Sequence, residues 1–223
     1  MILLRILLGV LMFVPQGQKS KGVEILDNAL KNFSGIKDYT VDVTIHADSP
    51  ELRVPDMQAT VYFKAPDKVK LDSKGSFFMM PREVGAFNPS RFNPDDFYVG
   101  APVDTTIDSL PAVTITLRSK KEDSPDRTVT LTIDTKEWLI RRVASERNPG
   151  REFSFDISYD TFDGYHLPVS VLFKLDIDQS NTPPNSFDGE RRSKGGIKGT
   201  IEIHYSNYKI NSGLSDKIFR SED

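Results

Sequence analysis

The architecture is most legible in “REFSFDISYDTFDGYHLPVSVLFKLDI”, Arg151 to Ile177. Phe153, Phe155, Ile157 and Tyr159 alternate with Glu152, Ser154, Asp156 and Ser158. Leu167, Val169, Val171, Phe173, Leu175 and Ile177 then repeat the same period of two. That period places the apolar side chains of a strand on one face and the polar ones on the other. Between the two runs, Asp163-Gly164 suits the positive φ of a tight hairpin turn. The stretch predicts two long antiparallel strands with one dry face and one wet face.

The same pattern recurs along most of the chain. Val41, Val43 and Ile45 alternate with polar neighbours, as do Met57, Ala59, Val61 and Phe63. Val69 and Leu71 follow after an “APDK” turn (65–68). Further on come Val113, Ile115 and Leu117, then Val129, Leu131 and Ile133, and finally Ile201, Ile203 and Tyr205. “WLIRRVASE” (138–146) reads as a strand with imperfect alternation, anchored by Trp138. One segment has helical period instead: Leu26, Ala29, Leu30 and Phe33 form a stripe. A helix is expected over 21–34, with Gly35 as its C′ residue. Loops are expected over 76–112 and 178–196, and no internal repeat is present.

The fold class is therefore mainly β, with about nine or ten antiparallel strands and a single helix, in one domain spanning 19–223. So large a one-faced sheet must curl. It can fold onto itself as a sandwich, or form an unclosed, strongly curved barrel whose apolar concave face is covered by the N-terminal helix and a loop or helix lid. The run “KGSFFMMPREVG” (74–85) bears on this choice. Phe77, Phe78, Met79 and Met80 would each forgo roughly 1.5–3 kcal/mol if left in water. Four such residues in a row cannot share one face of a strand. Met79 and Met80 can be ordinary core filler; the alternative that uses all four is an irregular lid over an apolar space, with 76–96 as the movable segment.

Composition removes several function classes. The 223 residues carry a formal net charge of -3, and nucleic-acid binding needs a basic stripe that is missing. With no cysteine, disulfides, thiolate metal sites, a cysteine nucleophile and lipid attachment at an N-terminal cysteine are excluded. His46, His166 and His204 are scattered, and no spacing among them suits a metal. No nucleophile elbow, phosphate loop or dinucleotide fingerprint occurs, and Asp95-Asp96 and “DTFDG” (160–164) read as turn residues. An enzyme is not expected, nor a cofactor. At the N-terminus, Arg5 followed by an apolar run from Ile6 to Val14 reads as a signal peptide over 1–18, which implies export.

Three stretches carry a family resemblance. “PDMQATVYFKAPDKVKLDSKG” (55–75) is similar to two early strands of the outer-membrane lipoprotein carriers, the LolA-like proteins. “FSFDISYDTFDGYHLPVSVLF” (153–173) resembles their later hairpin with its Asp-Gly-Tyr-x-Leu-Pro corner, and “YKINSGLSDKIF” (208–219) their closing element. The resemblance implies a half-open barrel that receives acyl chains of lipoproteins or phospholipids in the periplasm and carries them toward the outer membrane without covalent chemistry. It implies partners too: an inner-membrane release complex, an outer-membrane acceptor, and a monomeric carrier between them. On this reading the cavity and lid residues are Val61, Phe63, Val69, Leu71, Phe77, Phe78, Met79, Met80, Phe155 and Phe173. Rival expectations are a periplasmic sensing domain that regulates an envelope partner, a structural envelope protein with a filled interior, and a hydrolase.

Overall fold

A computed structural model describes residues 19–49, 52–53, 55–73, 88–121, 128–147, 151–177 and 197–220. It contains the helix α1 (Lys21–Lys31) and the strands β1 (Asp38–Ser49), β2 (Leu52–Arg53), β3 (Met57–Lys64) and β4 (Lys68–Ser73). These are followed by β5 (Phe97–Val99), β6 (Val103–Ile107), β7 (Leu110–Ser119), β8 (Thr128–Asp134) and β9 (Ile140–Arg147). The long strands β10 (Arg151–Phe162), β11 (Tyr165–Ile177) and β12 (Ile197–Ile210) complete the set. All pair antiparallel in one sheet, in the order β4-β3-β1-β12-β11-β10-β9-β8-β7-β5, with β2 and β6 attached to β1 and β7. The order begins at β4 and ends at β5, so the sheet is a wall with two edges and does not close into a barrel.

Alternation sets which face is dry. Val41, Val43 and Ile45 of β1, Ile115 and Leu117 of β7, Leu131 and Ile133 of β8, and Ile203 of β12 are almost wholly buried in one continuous cluster. The helix contributes Ile25, Leu26 and Ala29 to that cluster. It starts where Ser20 accepts a hydrogen bond from the Val23 N–H, an N-cap arrangement. It docks closely because residue 22 is glycine: a Cβ there would lie 2.2 Å from the Gly100 carbonyl oxygen.

Among the described residues, three bulges bend the sheet. One falls opposite Thr40 and Asp42, where β12 places Asn207 at φ 58°. The Asn207 amide donates to Asp42 at 3.0 Å. Because the bulge inserts one residue, both Tyr205 and Tyr208, three apart, pack into the core. A second bulge, between β8 and β9, brings both Ile140 and Val143 inward. It explains the broken alternation of “WLIRRVASE”. The third lies between β10 and β11 at Ser158/Tyr159.

Some expectations are corrected. The helix ends at Lys31, with a turn over 32–35. Gly35 is no positive-φ cap; a Cβ there would meet the Tyr165 ring at 2.9 Å, so close approach is what demands glycine. Trp138 is not in a strand but sits at φ 56° in the turn before β9. That turn is held by the Glu137 N–H donating to Asp134 Oδ1 at 2.7 Å. The presumed loop 76–112 contains β5, β6 and two short 3-10 turns, Pro89–Phe92 and Pro94–Asp96. Residues 103–106 of β6 are all exposed, so an edge strand that buries nothing there left no period of two. The Asp163-Gly164 turn has positive φ at both residues, 49° and 82°, as the hairpin requires.

Candidate functional site

The candidate cavity residues occupy the dry face in register pairs. Val61 faces Leu71 and Phe63 faces Val69 across β3 and β4. Phe155 faces Phe173 across β10 and β11, with ring centroids 4.8 Å apart. Val61, Phe63 and Phe173 are buried, Leu71 and Phe155 are partly buried, and Val69 is 36% exposed at the sheet edge. The two groups do not converge. Phe63 pairs with Tyr39 of β1, whereas the row of Phe173 crosses Ile201 to reach Ala47 of the same strand. Eight residues of extended chain separate them, about 26 Å at ~3.3 Å per residue. Phe77, Phe78, Met79 and Met80 lie outside the described residues, as does the segment 1–18.

A pocket of about 400 Å³ opens at the Phe63 end of the sheet. Leu30, Phe33 and Ser34 from the C-terminal end of α1 and its following turn form one wall. Pro66 and Asp67 of the β3–β4 turn form another, and Asn88 to Arg91 with Asn93 close the third side. The third wall is tied down. Asn88 Nδ2 and Ser90 Oγ both donate to the Pro66 carbonyl, at 3.0 and 2.7 Å, and the Asn88 side chain accepts from the Ser90 N–H at 3.1 Å. Asn88 itself is buried. Two Asn-Pro steps in “NPSRFNPDD” (88–96) carry the local signal for these turns: Asn88 and Asn93 cap them, and Pro89 and Pro94 begin them. In the sequence Leu30 and Phe33 show only as a helix stripe, and 88–93 falls within the segment 76–96 expected as the movable cover.

Beneath the helix lies an aromatic layer. Tyr39 stacks on Phe63 at 4.9 Å and meets Tyr208 edge-on at 5.7 Å. Phe162 packs against Tyr208, and Phe33 against Tyr159. Tyr159 donates to the Ile140 carbonyl and Tyr208 to the Pro168 carbonyl, each at 2.8 Å. Tyr205 Oη has no hydrogen-bond partner among the described residues. Burial raises the pKa of Tyr39, Tyr159, Tyr205 and Tyr208. These phenols stay protonated, and the layer behaves as apolar surface with a few fixed donors.

Charges border this interior: Asp134 is fully buried against Arg141, whose guanidinium lies 5.4 Å over the Tyr159 ring. The C-terminal segment fastens to the β3–β4 edge: Asp216 accepts from Lys64 and Lys68 at 2.7 and 3.1 Å. Those two bonds hold its carboxyl down to about 2. Asp38 is buried and accepts from the Gly213 N–H at 3.1 Å, while Asn211 Oδ1 accepts from the Lys37 N–H at 2.7 Å. The “INSGLSD” element is thus a clasp joining the end of β12 to the start of β1. On the wet face, burial opposes ionisation of Asp156, but hydrogen bonds from Arg142 and Lys174 outweigh it and lower its pKa. His46 and His204 are exposed, and each pairs with one carboxylate, Asp56 and Glu202. Among the described residues no group of three or more His, Asp or Glu is placed to hold a metal ion. No helix among them is long and apolar enough to cross a membrane.

Solved structures share this fold over nearly the whole chain. A LolA superfamily protein from Nitrosomonas europaea aligns with a TM-score of 0.65 at 13% identity, covering 90% of this chain and 97% of that one. A DUF1329 family protein from Desulfovibrio piger aligns with a TM-score of 0.62 at 12% identity, covering 91% and 98%. A domain from Vibrio parahaemolyticus, described as an outer membrane lipoprotein-sorting protein, gives 0.58 at 12% identity, covering 89% and 96%. No family model matches the chain, and no curated protein does. At these identities the likeness is one of fold.

Proposed function

We propose that this chain, whose fold is that of the LolA superfamily, is an exported carrier of acyl chains. It takes up lipoproteins or phospholipids in the periplasm and passes them toward the outer membrane. One observation carries the reading: an open pocket of about 400 Å³ lies at the seam between α1 and an unclosed, one-faced sheet. A pocket of that size is within the range of small-molecule sites, roughly 300–1,000 Å³. Leu30, Phe33, Pro66 and Pro89 give it apolar walls.

Each methylene of an acyl chain moved from water into such a space gains about 0.8 kcal/mol. That gain has no direction, so cargo leaves when a partner offers competing apolar surface. A carrier of this kind binds and releases without breaking a covalent bond, and the protonated tyrosine layer supplies no nucleophile. An inner-membrane complex that loads the protein and an outer-membrane acceptor that empties it are the partners this cycle requires.

The test is mass spectrometry of an organic extract from natively purified protein. Near-stoichiometric phospholipid or acylated peptide is the expected result, and its identity separates lipid transfer from lipoprotein sorting. A blank extract, repeated after incubation with lipoprotein-bearing membranes, would overturn the carrier reading.

A further inference from the structure

The pocket beside α1 carries two charges that no described residue around it uses. Asp67 and Arg91 both line it and both are exposed. Neither side chain has an ion-pair or hydrogen-bond partner among the described residues, and they do not pair with each other. The nearest cations in sequence to Asp67 are already committed, since Lys64 and Lys68 both bind Asp216. Arg91 is held on a turn that Asn88 and Ser90 fasten to the Pro66 carbonyl. The carboxylate and the guanidinium therefore border one pocket from two segments that the Pro66 carbonyl ties together.

An apolar pocket with one exposed anion and one exposed cation at its rim is complementary to an amphiphile whose polar end is itself a dipole. The geometry points to a zwitterionic phospholipid head as the group read here: phosphate on Arg91, which suits a planar, multidentate donor, and ammonium on Asp67. Phosphoethanolamine, with its two charges joined by a two-carbon bridge, has this chemistry, and the first part of an acyl chain occupies the space between Leu30, Phe33 and Pro89. A head with phosphate alone leaves Asp67 facing a like charge. This inference rests on the carrier reading and narrows it to a headgroup class and two residues.

The experiment is calorimetric titration of the intact, signal-processed protein with three probes: lysophosphatidylethanolamine, lysophosphatidylglycerol and free phosphoethanolamine. Wild type is expected to prefer the ethanolamine lipid over the glycerol lipid by roughly fivefold, the scale of one exposed charge contact. Asp67→Asn should abolish that preference while retaining binding, and Arg91→Ala should weaken both lipids by a similar factor. Both residues are exposed, so the variants fold. Equal binding of the two lipids by wild type and both variants would overturn the assignment and leave the carrier reading standing. Free phosphoethanolamine bound as tightly as the lipid would also overturn it, because the apolar floor would then contribute nothing. Failure to bind any acyl lipid would overturn both readings.

Discussion

Single side chains in this protein are told apart by whether their polar atoms are satisfied. Tyr205 and Tyr208 are three residues apart in one strand and share one aromatic layer, yet only Tyr208 has an acceptor for its hydroxyl. An unsatisfied buried hydroxyl costs about 1–3 kcal/mol, and a satisfied one contributes about 1 kcal/mol. Tyr205→Phe is therefore expected to leave stability unchanged or raise it by about 1 kcal/mol, while Tyr208→Phe lowers it by about that much. Chemical denaturation of the two variants checks the contrast, and equal losses would refute it. On the surface, the bond to Asp56 at 2.6 Å raises the pKa of His46 above 6.5. Because the folded value exceeds the unfolded one, the pair's contribution is complete below the unfolded pKa and is lost as pH rises through the folded one. NMR titration should find His46 titrating above the ordinary histidine value, and Asp56→Asn should return it there.

Elements are shaped by the points where their period breaks. At Asn207 the strand takes a left-handed residue, φ 58°, to shift its phase. Asparagine tolerates that conformation and glycine does so freely, whereas alanine is strained by roughly 1–2 kcal/mol. Asn207→Gly is expected to lose only the bond to Asp42, and Asn207→Ala to be less stable than the glycine variant by about 1 kcal/mol. Thermal melts of both variants test the order, and an alanine variant as stable as glycine would sink it. Alternating runs clear of a bulge were readable from their residues, as Phe155 with Phe173 and Val61 with Leu71 illustrate. Bulged strands were readable only up to the bulge: Ile201, Ile203 and Tyr205 stood out, but Tyr208 and Ile210 lay on the opposite parity. β6 was not readable at all, because its residues 103–106 are all exposed.

For the molecule as a whole, the consequence of an unclosed sheet is a helix that must serve as cover. Leu30 and Phe33 are only partly buried by it, and they border the pocket. Leu30→Trp should fill that space. Acyl lipid recovered from the purified variant is expected to fall several-fold while its melting temperature stays within a few degrees of wild type, as a change confined to an open pocket should. Unchanged lipid recovery would place the cargo elsewhere on the dry face. The residues alone established a mainly antiparallel chain with one dry face and one covering helix, because period and turn chemistry are local. Which candidates meet was another matter. Phe63 and Phe173 have the same alternation and the same burial, yet strand order and register set them at opposite ends of the sheet. The pocket walls come from 30–34, 66–67 and 88–93, three segments with no shared pattern, brought together only when a one-faced sheet must bury its apolar side against α1.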